Sequence, residues 1–212
     1  MVFLRYYTLY ITPASIVIPI IVALLRYKLL SPPFKVLFWF LVFSAIANAV
    51  NITLSVHHIP TTIMFHIYTP VEFTLISLFY NYLFKGTWQK IMMVLVIVLC
   101  IFCLVDFLYI QPGIQVDTYP DTVEAIIIIA YSVLYLNQQS SIEINDSWGQ
   151  SGLNWINIAF LIYYGCGLFM FISINYLIHA SLSINAIVWS VFDTILVIES
   201  ILFATGFYKC NT

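Results

Sequence analysis

The chain has 212 residues, of which 8% are charged and 63% hydrophobic, with a formal net charge of −2. A soluble domain carries roughly a quarter charged residues, so this composition excludes a water-facing surface over most of the chain and leaves hydrocarbon as the surrounding medium. The small negative charge also excludes a basic field for nucleic acid.

A helix needs ~20 apolar residues to cross the hydrocarbon core, and seven runs qualify. The first, 6–25, follows Arg5 and is closed by Arg26 and Lys28. Its outline is that of a signal peptide, but no small-x-small cleavage site follows, so it reads as a retained span. Ser31-Pro32-Pro33 separates it from the second, 36–56. Pro60 precedes the third, 63–84, and Gly86 follows it. The fourth, 91–110, holds Cys100-x-x-Cys103 and ends at Gln111-Pro112-Gly113. That cysteine spacing suits a metal or a redox pair, but cysteines inside an apolar run behave as small hydrophobes. With Cys166 and Cys210 they imply no disulfide framework. Pro120 introduces the fifth run, 122–138, and the last two are 155–178 and 186–208. Runs this long are helices rather than barrel strands, which alternate over about 10 residues, and helices satisfy their own backbone in lipid. The expected fold is therefore all-α: a polytopic membrane protein with seven transmembrane helices, forming one domain over residues 1–212.

Lysine and arginine set the orientation. Arg26, Lys28 and Lys35 fall between spans 1 and 2, Lys85 and Lys90 between spans 3 and 4, and Lys209 after span 7. All six share one side and Arg5 takes the other, which predicts an outside N-terminus and a cytoplasmic C-terminus. The loop at 139–154, with Glu143 and Asp146, is then cytoplasmic and a candidate docking segment, although a flexible solvated loop explains it as well.

Polar residues collect in the outer half. Ser44, Asn48, Asn51 and Ser55 are spaced 4, 3 and 4 apart and form one stripe on span 2. On span 3, His66 lies near the outer end, and Tyr68 and Glu72 stand one turn apart around Pro70. Asp106 and Glu124 lie near the outer ends of spans 4 and 5, shallow enough to reach interfacial water. Asn175 and His179 on span 6, and Trp189 and Asp193 on span 7, are again one turn apart, with Glu199 deeper. The inner halves hold little beyond Asn81, Asn157, Tyr163 and Tyr164.

A carboxylate at a helix centre costs roughly 2.5 kcal/mol or more, so it faces other helices or a water-filled cavity. Glu72, Asp193 and Glu199 have no intramembrane Lys or Arg to neutralise them, and must be protonated, hydrogen-bonded or paired with a cation. The expected site is an outward-opening pocket bordered by spans 2, 3, 6 and 7. Its residues are Asn48, Asn51, His66, Tyr68, Glu72, Asn175 and Asp193, with Glu124, Glu199, His179, Asp106 and Trp189 as secondary candidates. Interhelical hydrogen bonding, typically ~0.6 kcal/mol per contact, is the plainer explanation of the span 2 stripe. A zinc site using His66 or His179 lacks any HxxxH or HExxH spacing. Retinal is disfavoured because span 7 carries no lysine.

Several stretches resemble a group of small seven-helix membrane proteins of Bacteroidota. They are His66-Ile-Tyr-Thr-Pro-Val-Glu72-Phe, Tyr119-Pro-Asp-Thr-Val-Glu124, Trp155-Ile-Asn-Ile-Ala-Phe-Leu-Ile-Tyr163-Tyr and Ile201-Leu-Phe-Ala-Thr-Gly-Phe-Tyr-Lys209. The resemblance covers about two thirds of the chain, draws attention to Glu72 and Glu124, and does not extend to Asp193 or Glu199. Genes of that group often lie beside sensor histidine kinases, which implies a signalling role, a histidine kinase as partner and a bacterial inner membrane as the location.

The leading expectation is a receptor-like or sensory protein that holds a cationic or hydroxyl-rich ligand and signals to a cytoplasmic partner. Two other classes compete with it. One is an intramembrane lipid-modifying hydrolase, metal-dependent or not, using Glu72, Asp193 and His66. The other is a proton-coupled transporter relaying through Glu72 and Glu199.

Overall fold

The computed structural model describes residues 6–112, 117–140, 148–177 and 181–210, except for the side chains of Leu9, Asn175, Leu182 and Ser183. Among the described residues, seven apolar helices form from the seven apolar runs. The first, α1 (Thr12–Leu25), is shorter than the rest. The six long ones are α2 (Pro32–Val56), α3 (Thr62–Leu83), α4 (Thr87–Ile110), α5 (Thr118–Ser140), α6 (Gly152–Leu177) and α7 (Leu182–Tyr208). By length and hydropathy this is an integral membrane protein.

The helix ends follow local chemistry, and several differ by a turn from the apolar runs. Pro32 and Pro33 open α2 rather than preceding it, because proline lacks an N–H that the first turn leaves unused anyway. Pro120 likewise falls inside the first turn of α5. Gly86 turns the chain between α3 and α4 with φ at 69°, a conformation costly for any residue with a Cβ. Ser181 caps α7, its Oγ accepting the Ile184 N–H at 3.4 Å. α3 continues through Pro70 without a break.

Two turns are widened to i→i+5 hydrogen bonding. At Tyr7–Ile11, leading into α1, the Thr12 N–H reaches the Tyr7 carbonyl. At Asp106–Ile110, the last turn of α4, the Gln111 N–H donates to the Asp106 carbonyl at 2.8 Å. Such turns often mark functional positions, and both carry polar residues that matter below.

Neighbours in sequence pack together: α2 on α3, α3 on α4, α5 on α6 and α6 on α7, while α1 lies against α7 and α2. α3 also touches α5, which leaves α4 on the periphery. The α6–α7 crossing is close because glycines face each other there. A Cβ on Gly152 would run into the Gly206 carbonyl, and one on Gly206 would come within 2.9 Å of the Gly152 carbonyl. Small residues of this kind let membrane helices approach.

The interior is aromatic. Phe160 packs on Phe40, Phe79, Tyr80, Tyr164 and Phe203. Among these rings sits a polar knot with no exposed surface. Tyr80 Oη lies 2.7 Å from Ser132 Oγ and donates to Asn157 Oδ1 at 2.8 Å, while Asn157 Nδ2 donates to the Ser132 carbonyl at 3.2 Å. It ties α3, α5 and α6 together. At the end of the bundle where α7 stops, Arg26 donates to the Tyr208 carbonyl and stacks over its ring. Lys209 donates to the Gly149 carbonyl and lies over Trp155.

Candidate functional site

A cavity of about 390 Å³ opens between α1, α2, α3 and α7. It reaches from Asn51 and Met64, at the end of the bundle remote from Arg26 and Lys209, down to Phe40 and Phe203 near mid-depth. The predicted stripe on α2 lines it through Ser44, Asn48 and Asn51; Tyr68 and Glu72 line it from α3, and Trp189, Asp193 and Glu199 from α7. Its borders differ from expectation on one side. α1 supplies a wall, and α6 contributes only Tyr163.

That α1 wall is polar. Thr8, Thr12 and Ser15 repeat at intervals of 4 and 3 and so share one helical face. Thr8 Oγ1 donates to Asp193 Oδ2 at 2.6 Å, and Ser15 Oγ lies 3.1 Å from Ser200 Oγ. The widened Tyr7–Ile11 turn carries Thr8. Across the cavity, Ser44 Oγ lies 2.9 Å from Tyr68 Oη, which donates to Glu72 Oε1 at 3.3 Å. Tyr68 is held by stacking on Phe43. From α6, the buried Tyr164 hydroxyl approaches Glu72 with no hydrogen bond of its own.

Three carboxyl groups therefore share one cavity: Glu72, Asp193 and Glu199, each no more than 8% exposed. Among the described residues, no Lys, Arg or His side chain lines it. Hydroxyls and amides surround the acids, while Phe40, Leu41, Ile52, Leu196 and Phe203 supply apolar walls. Such a lining holds a cation through ionised carboxyls and a hydroxyl through neutral ones.

The remaining predicted residues lie elsewhere. His66 does not reach the cavity; its ring meets the Phe107 ring of α4 at 5.2 Å, edge to face. Six residues separate it from Glu72, which at 3.6 residues per turn places the two about 120° apart around α3. Asp106 and Glu124, expected near interfacial water, are instead buried, at 0% and 2% exposed. They belong to a second polar chamber between α3, α4 and α5. His179 and the Asn175 side chain lie outside the described residues.

The second chamber contains groups that the sequence did not single out. Thr69 Oγ1 lies 2.7 Å from Asp117 Oδ2 and 2.8 Å from Asp121 Oδ1. Asp117, just ahead of α5, has no exposed surface, and burial raises its carboxyl above the usual aspartate range, partly offset by the Thr69 hydrogen bond. The i, i+4 spacing of Asp117 and Asp121 was the available signal. Among the described residues, no three His, Cys, Asp or Glu side chains converge as a metal site.

Comparison with protein-family models, curated proteins and solved structures finds no match. What stands is a helical protein with six to seven long apolar helices, and no family is identified.

Proposed function

We propose that the protein is a receptor-like, sensory membrane protein that binds a small cationic, partly apolar ligand in the α1–α2–α3–α7 cavity. The observation that carries this reading is the convergence of Glu72, Asp193 and Glu199 on one cavity that no basic side chain lines among the described residues. Desolvated carboxyls in hydrocarbon gain most from a partner that brings positive charge. The apolar walls suit the body of such a ligand and the hydroxyls of Thr8, Ser44 and Tyr68 its polar rim.

Orientation supports a sensory role. Arg26, Lys28, Lys35, Lys85, Lys90 and Lys209 all belong to one end of the bundle, which the positive-inside rule assigns to the cytoplasm. The cavity lies toward the other end, so the N-terminus and the pocket face outward, in a bacterial inner membrane. Because α1 and α7 both line the cavity, a ligand drawn between Thr8 and Asp193 alters their packing. α7 ends at Lys209, which touches Trp155 and the Gly149 carbonyl on the cytoplasmic side. That route delivers the change to a cytoplasmic partner.

Two observations disfavour the competing classes. A hydrolytic site built from Glu72, Asp193 and His66 is not assembled, since His66 faces α4. A through-going transport path meets the sealed Tyr80–Ser132–Asn157 knot and its aromatic surround.

The test is a thermal-stability series on purified protein with amphiphiles of matched shape, one bearing a quaternary ammonium head and one a neutral head. A ligand at 100 times its Kd stabilises by about 2.7 kcal/mol. The cationic member should stabilise the wild type, and Glu72→Gln with Asp193→Asn should abolish the difference. Equal stabilisation by both heads, or an unchanged preference in the double variant, would refute the assignment.

A further inference from the structure

The second chamber poses a hydrogen-counting problem. Thr69 Oγ1 carries one hydrogen, yet Asp117 Oδ2, Asp121 Oδ1 and the Phe65 carbonyl all lie within bonding reach, the last at 3.0 Å. A hydroxyl donates one hydrogen bond and accepts up to two. With both aspartates ionised, at least one carboxylate oxygen would press against a threonine lone pair. A proton on either acid removes the conflict, because that acid donates to Oγ1 and the threonine hydrogen goes to another acceptor.

A second observation points to the same bound proton. Asp106, from the widened turn of α4, has no exposed surface, and neither of its carboxyl oxygens has a hydrogen-bond partner among the described residues. Its charge acts on both Asp117 and Asp121, so it faces the same chamber. Asp117 Oδ1 and Glu124 Oε1 are likewise buried without partners among the described residues. So many carboxyl oxygens, buried and close together, are not all ionised at once.

We propose that Asp117, Asp121 and Thr69 form a proton-binding site between α3, α4 and α5, and that its occupancy controls the charge of Glu72 in the ligand cavity. Thr69 and Glu72 lie one turn apart on α3, so the chamber and the cavity share that helix. The titratable groups facing the site are His66 and Glu72 on α3, Asp106 and Cys103 on α4, Glu124 on α5 and Tyr163 on α6. Release breaks one carboxyl O–H bond, passes the proton to water and adds one negative charge to the chamber. That charge opposes ionisation of Glu72, so a cation in the cavity loses its counter-charge there. This regulatory half rests on the function proposed above; the proton site itself does not.

Infrared spectroscopy of protein labelled with [13C-carboxyl]aspartate separates the two. At neutral pH the wild type should show a protonated-aspartate carbonyl band that shifts in heavy water. Asp117→Asn and Asp121→Asn should each remove this site's share of the band, since an amide N–H supplies the missing hydrogen and the remaining acid ionises. The amide also mimics the neutral acid, which preserves the fold, and Thr69→Ala, which keeps both acids, should shift the band rather than remove it. Undiminished band intensity in both folded Asn variants would overturn the site. The unlabelled glutamate signal, assigned with Glu72→Gln, reads the coupling. Its titration should be broad in the wild type and collapse to a single step in the Asn variants. An identical titration in all three would overturn the coupling and leave the cavity assignment standing.

Discussion

Replacing Tyr80 with phenylalanine removes one oxygen from the centre of the bundle and nothing else of consequence. The ring, which packs on Phe79, Tyr131 and Phe160, stays in place, so no sizeable cavity opens. What is lost is the hydroxyl bridging Ser132 and Asn157 at 2.7 and 2.8 Å. Asn157 keeps its bond to the Ser132 carbonyl, but its Oδ1 loses a donor in a region with no exposed surface. Interhelical hydrogen bonds in membranes average ~0.6 kcal/mol and reach ~1.7; two such bonds predict a loss of about 1–2 kcal/mol. Reversible unfolding of the protein, by steric trapping in bilayers or by denaturation in mixed micelles, reads this directly. Because Ser132→Ala removes one of the same two contacts, the double variant should lose measurably less than the sum of the singles. Strict additivity, or an unchanged unfolding free energy in Tyr80→Phe, would refute the three-way contact and with it the sealed inner half.

Two further outcomes follow from the packing and the charges. Gly206→Leu drives a side chain into Ile156 and the Gly152 carbonyl, so the α6–α7 pair should separate. The same unfolding assay should show a loss of about 1–3 kcal/mol, typical of overpacking. Asp117 carries the pH prediction. An unfolded aspartate titrates at about 3.9, and burial raises the folded group above that. Its contribution to stability is then complete below the unfolded value and declines as pH rises through the folded one. Stability measured across that window should fall with rising pH in the wild type and fall less in Asp117→Asn; an equal slope in both would contradict the buried neutral acid.

The seven helices were legible because the bilayer leaves little choice: an apolar run of ~20 residues in lipid must satisfy its own backbone. The cavity was partly legible for a related reason. Glu72, Asp193 and Glu199 are costly in hydrocarbon and so conspicuous, and the regular spacing of Ser44, Asn48 and Asn51 marks a face. Thr8, Thr12 and Ser15 carry the same periodicity but are hydroxyl residues, which bond to their own helix cheaply and draw no attention. The burial of Asp106 and Glu124 depends on how α4 and α5 lean on α3, a tertiary fact that no single run encodes. Asp117 precedes its helix and so looked like part of a loop. His66 could have been separated from Glu72 by helical angle alone, since six residues do not return to one face.

The claim on which the account depends is that the cavity is an outward-facing field of negative charge. In a variant with all four cysteines replaced by serine, Asn48→Cys places a thiol on the exposed, cavity-lining face of α2. Membrane-impermeant methanethiosulfonates of opposite charge, added from outside to intact cells, measure the field as a ratio of labelling rates. The cationic reagent should react faster, and the preference should vanish when Glu72→Gln and Asp193→Asn are added. Equal rates, faster reaction with the anionic reagent, or labelling only from the cytoplasmic side would contradict it.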